Sequence, residues 1–117
     1  MKLPYDMEIS ANTVVAVDFD GTLCRSVFPD CGEPIIEVVN FVKEIKKKGA
    51  TIILWTCREG EALSIALDWC KEHGLEFDYI NENDPKRTEL WGSDCRKVGA
   101  DLYLDDRAIN VLSIVEE

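Results

Sequence analysis

Three short apolar runs, each ending on a polar residue, constrain this chain more than any other feature of its sequence. Thr13-Val14-Val15-Ala16-Val17 runs into Asp18, Ala50-Thr51-Ile52-Ile53-Leu54-Trp55 into Thr56, and Ala100-Asp101-Leu102-Tyr103-Leu104 into Asp105-Asp106. Short, β-branched and nearly uninterrupted, such runs read as strands buried on both faces, as central parallel strands are. Helical patterns separate them. The first opens at Pro34, a suitable first helical position, and closes at Gly49, with Ile35, Val38, Val39, Val42 and Ile45 on one face. The second runs from Gly60 to His73, turns Ala62, Leu63, Ala66, Leu67, Trp69 and Cys70 inward and stops at Gly74. Glu76 to Ile80 reads as a weaker strand, and Asn81 to Arg96 as polar and irregular with one helical turn. Alternating strands and helices predict an α/β fold: a three-layer α/β/α sandwich with a mainly parallel, Rossmann-like sheet, right-handed crossovers placing helices on both faces. With 117 residues and no repeat or linker, residues 1–117 read as one domain.

The totals narrow the partners. A net charge of −10, with Lys46-Lys47-Lys48 as the one dense basic run, argues against a long nucleic-acid backbone. Those lysines fall in the last turn of the first helix, where they complement its dipole, and His73 ends the second in the same way. The five cysteines, Cys24, Cys31, Cys57, Cys70 and Cys95, form no repeated close pair, so reduced thiols and a cytoplasmic location are expected. No apolar run approaches the roughly 20 residues that cross a bilayer, so no membrane partner is expected.

Ligands of open parallel sheets bind beyond the carboxyl ends of the strands, and Asp18, Asp20, Thr56, Asp105 and Asp106 all fall there. Asp18 and Asp20, two apart on an extended segment, point the same way, and Gly21 permits a sharp exit from the strand. An Asp-Gly pair alone is most often a turn, an Asp-Asp pair a cap or wet loop, and a strand-end Thr a backbone partner. Together at one rim the carboxylates would repel one another, which calls for a cation. Mg²⁺ suits hard oxygen ligands and completes its shell with water and phosphate.

With these residues in place, the chain resembles the haloacid dehalogenase superfamily. Asp18-Phe19-Asp20-Gly21-Thr22-Leu23, then Ile52-Ile53-Leu54-Trp55-Thr56, then Lys97, then Leu104-Asp105-Asp106 follow the order of that family's motifs over nearly the whole chain. Lys97 is favoured as the motif lysine because it directly precedes the last motif strand, although Lys86 also lies in the permitted interval. The resemblance implies a Mg²⁺-dependent phosphohydrolase in which Asp18 attacks phosphorus and forms an aspartyl-phosphate. Asp20 would protonate the leaving oxygen and then deprotonate water. Asp18, the backbone carbonyl of Asp20, Asp105 and Asp106 would hold Mg²⁺, while Thr56 and Lys97 hold the phosphoryl oxygens. Phe19, Gly21 and Cys57 are expected to contact substrate beside Thr56 and Lys97, and Arg58, Glu59 and Asn81 could reach it from the rim.

Neither position at which such proteins insert a cap domain has room for one. Thr22 to Glu33 suffices for a short helical turn and a flap around Val27-Phe28-Pro29. The site is therefore expected to be open, covered by the flap, a neighbouring subunit of a homo-oligomer or a large phosphorylated substrate. Trp55 and Trp69 read as core, and Trp91 as either a lid contact or a packing anchor. Two rival readings are a receiver-like phosphoacceptor domain, whose motif order differs, and a non-catalytic phosphate-binding module on the same fold.

Overall fold

The structure, a computed structural model, describes residues 2–115. In chain order its regular elements are β1 (Val14–Val17), a hairpin of β2 (Cys24–Val27) and β3 (Asp30–Pro34), α1 (Ile36–Lys47), β4 (Thr51–Leu54), α2 (Gly60–Glu72), β5 (Tyr79–Ile80), α3 (Pro85–Trp91), β6 (Leu102–Leu104) and α4 (Val111–Val115), after a 3-10 turn at Pro4–Asp6. The apolar runs become adjacent strands of a four-stranded parallel sheet in the order β5-β4-β1-β6. Their register aligns the tips: Val17 stands opposite both Leu54 and Leu104.

The chain steps from β1 to β4 to β5 in one direction and then returns past β1 to β6. Right-handed crossovers made in one direction place their helices on one side. Accordingly α1 and α2 share a face: Val39, Val42 and Ile45 of α1 and Ala66, Trp69 and Cys70 of α2 pack with Val15, Val17, Ile52 and Leu54. On the opposite face Val14, Ala16 and Ile53 cluster with buried Val98, beside Trp55, Tyr79 and Ala100. The α/β class and the parallel sheet flanked by helices are thus present.

The helix boundaries hold except at one end. Pro34 ends β3 opposite Cys24 instead of opening α1, because the Ile35 N–H donates to the Leu23 carbonyl at 2.8 Å and keeps the chain extended there. Gly49, at φ +92°, follows α1 as expected of a helix stop. Trp69 is core, edge-on to Phe19 with ring centroids 5.4 Å apart. His73 stacks on Trp69 at 3.9 Å. The segment expected to be mostly irregular carries α3, started by Asp84, whose Oδ1 accepts from the Lys86 N–H at 3.0 Å, and stopped by Gly92 at φ +74°. All five cysteines are free thiols, and among the described residues no helix is long and apolar enough to cross a membrane.

Candidate functional site

The reversal of strand order falls between β1 and β6, and at such a switch point the loops leaving two neighbouring strands diverge and open a crevice. Asp18 leaves β1 there and Asp105-Asp106 leave β6. Backbone bonds lock the tips together: the Asp18 N–H donates to the Leu104 carbonyl at 2.9 Å and the Trp55 N–H to the Val17 carbonyl at 2.8 Å. Carboxylate oxygens of Asp18, Asp105 and Asp106 consequently all lie within 4.8 Å of one another. Asp18 is half-buried, whereas the other two are exposed. An open cleft of about 580 Å³ adjoins the pair, with Gly21 and Thr22 beside the acids and Val38, Phe41 and Tyr103 on its apolar wall.

Thr22 organises this group. Its hydroxyl donates to Asp18 Oδ2 at 3.2 Å and accepts from the Asp106 N–H at 3.1 Å, so one buried side chain spans both loops. Gly21 is required twice over. It sits at φ +82°, and a Cβ at this position would overlap the Asp106 carboxylate. Gly21→Ala is therefore expected to destabilise the fold by at least about 1 kcal/mol, read as a lower urea midpoint at unchanged slope.

Burial raises the Asp18 carboxyl from 3.8 to about 6; the neighbouring Asp105 adds to this and Asp106 adds less, against hydrogen bonds from the Phe19 backbone and the Thr22 hydroxyl. Three hard-oxygen groups this close fit a small divalent cation held by one atom from each. Exposed acidic groups are also common without one.

Asp20 does not join them. The crowd of up to four carboxylates expected from the sequence is three, because Arg58 takes the fourth: Nε donates to Asp20 Oδ2 and an Nη to Oδ1, both at 2.8 Å. The Asp20 side chain is thus not part of the acidic cluster. Arg58 is itself corrected from an exposed rim residue to a buried one, with its side chain 1% exposed. Its remaining donors go to the carbonyls of Pro29, Asp30 and Ala62 at 2.8 to 3.0 Å. No N–H of its guanidinium is left for a substrate.

The other expected contacts divide. Phe19 is fully buried, so its side chain belongs to the core. Cys57 is exposed. Thr56 follows β4 beside the Asp18 tip, and its Oγ1 accepts from the Arg58 N–H at 3.1 Å. Asn81 buttresses this loop: from φ +54°, its Oδ1 accepts from the Thr56 N–H at 2.8 Å. Lys97 is exposed and places its ammonium 5.6 Å from the centroid of the Tyr103 ring, without an ion pair to any described residue. Lys86 is exposed on α3. Trp91 acts as a packing anchor, since its ring fills the space that a Cβ at Gly99 would need.

No protein-family model matches this chain, and neither does any curated protein. A solved structure of a conserved protein from Bacteroides thetaiotaomicron does, at 40% identity over 88% of this chain and 85% of that one, with a TM-score of 0.72. The chain belongs to the family of that conserved protein. The shared fold therefore spans nearly all of both chains.

One organiser of this family member went unread in the sequence. Buried Asn83 donates from Nδ2 to Asp94 Oδ1 and to the Cys95 carbonyl, at 2.8 and 2.9 Å, and accepts the Gly99 N–H on Oδ1 at 2.6 Å. It closes the loop that bears Lys97. Nothing in a polar segment distinguishes such an Asn from a solvated one.

Proposed function

We propose that this protein is a cap-less, Mg²⁺-dependent phosphohydrolase of the haloacid dehalogenase type, with the three-layer α/β/α core of that superfamily. The observation that carries the reading is the convergence of Asp18, Asp105 and Asp106 from the tips of two adjacent strands at the switch point.

Asp18, Asp105 and Asp106, with the Asp20 carbonyl, would hold Mg²⁺, which neutralises the charge brought together by an anionic nucleophile and a phosphate. Asp18 attacks phosphorus in line, forming the aspartyl-phosphate as the P–O bond to the leaving group breaks. Thr22 fixes the orientation of the attacking carboxylate. Thr56 and Lys97 hold the non-bridging oxygens, Lys97 swinging from Tyr103 when substrate arrives. Asp20 delivers a proton to the leaving oxygen and recovers one from the water that hydrolyses the intermediate, each step requiring it to release one of its bonds to Arg58. The open cleft leaves room for a substrate larger than its phosphate.

A phosphate-binding module without turnover is favoured by one observation, the complete pairing of Asp20 with Arg58. One assay separates the two. Phosphate release from a panel of phosphomonoesters in Mg²⁺, stopped by EDTA, is the expected result. Saturable phosphate binding without release from any ester would leave the module reading standing instead. For the lysine, Lys97→Ala is expected to lower kcat/KM about 10²-fold and Lys86→Ala to leave it near wild type. Loss in Lys86→Ala alone would move the assignment to Lys86.

A further inference from the structure

We infer that Arg58 is a positioning residue that couples the β2–β3 flap to the orientation of the Asp20 carboxylate. The inference rests on the phosphohydrolase reading only for what Asp20 does; the coupling itself stands on geometry.

The guanidinium has five N–H donors, and every one is used. Two grip Asp20 side-on, two reach the flap through the carbonyls of Pro29 and Asp30, and one holds the first turn of α2 at Ala62. The flap adds a face: Phe28 lies 5.0 Å from the guanidinium carbon on its ring centroid, and Phe19, beside Asp20, lies 4.9 Å away. An ordinary ion pair would need only the two bonds to Asp20. Here more donors serve the flap and α2 than serve the carboxylate, so flap, helix and Asp20 share a single rigid fork. The flap cannot lift without drawing on the group that orients Asp20, and Asp20 cannot turn toward the acidic site without loosening that fork. A lysine cannot replace it, because an ammonium is a point donor without the planar geometry that meets five acceptors and two rings.

The consequence is a flap whose seating sets where Asp20 points. Arg58→Lys keeps the charge and removes the fork, and Phe28→Ala, at a residue 62% exposed, loosens the flap without touching the core. Amide hydrogen exchange over residues 25–31 is expected to speed up about tenfold or more in Arg58→Lys and less in Phe28→Ala, while β1 and β4 stay protected. Turnover of an alkyl phosphate, which needs a proton delivered to its leaving oxygen, should fall in kcat at least tenfold more than turnover of para-nitrophenyl phosphate, which does not. Flap exchange unchanged in both variants would overturn the coupling, and so would equal losses on the two substrates. Should the wild-type protein release no phosphate, the phosphohydrolase reading fails and the exchange measurement alone decides the coupling. If Arg58→Lys does not fold, Phe28→Ala is read by the same two criteria.

Discussion

Asp18→Asn is expected to abolish phosphomonoester turnover, lowering kcat at least about 10³-fold, and to leave the protein folded. The carboxylate is the only group at the tip of β1 placed both beside Asp105 and Asp106 and under the Thr22 hydroxyl. An amide keeps its shape and its Thr22 contact while losing the anionic oxygen that attacks phosphorus. A rate defect confined to KM would mean that Asp18 only binds. Turnover unchanged in Asp18→Asn would remove it from the chemistry altogether and with it the proposed aspartyl-phosphate. Acid-quenched wild-type protein should carry substoichiometric phosphate lost on alkaline treatment, and Asp18→Asn should carry none. Phosphoprotein that accumulates to full occupancy and persists would point instead to a phosphoacceptor domain.

The sheet was legible because parallel strands buried on both faces must be continuous apolar runs, and Val14 to Val17 and Thr51 to Leu54 are such runs. The polar residues that end them could be assigned to one rim for the same reason. What the sequence could not reveal lies wherever burial comes from distant partners. The β2–β3 hairpin has an exposed Arg25, Ser26 and Val27, so no apolar alternation marks it and Pro34 reads as a helix start. Arg58 follows a strand-end Thr, where a charged residue ordinarily faces water. Its burial depends on acceptors at Asp20, Pro29, Asp30 and Ala62 that no local pattern connects. Asn81 did carry a readable signal, since Asn is enriched among residues that accept positive φ. Asn83 carried none.

The pH dependence of stability is expected to be inverted at Asp18. Its carboxyl is raised from 3.8 to about 6, by burial first and the neighbouring acids second, so the folded state holds a proton that the unfolded chain releases at lower pH. Between about pH 4 and pH 6 the folded state binds more protons, and stability from this group falls as pH rises through the window. Above about pH 6 the penalty is complete, at most about 3 kcal/mol because solvent reaches the half-buried carboxylate. In EDTA, urea unfolding should therefore find Asp18→Asn more stable than wild type at pH 7.5 by up to that amount, with the gap closing toward pH 4. Comparing the two proteins cancels the other acids, which titrate in both. Millimolar Mg²⁺ should close the gap from the other side, since the ionised Asp18 it favours is the form that folding disfavours, and its stabilising effect on wild type should fade as pH drops below about 5. Parallel stability curves from pH 4 to 7.5 would show that Asp18 is not raised. A wild-type protein indifferent to Mg²⁺ at every pH would separate the acidic cluster from the metal that the proposed chemistry requires.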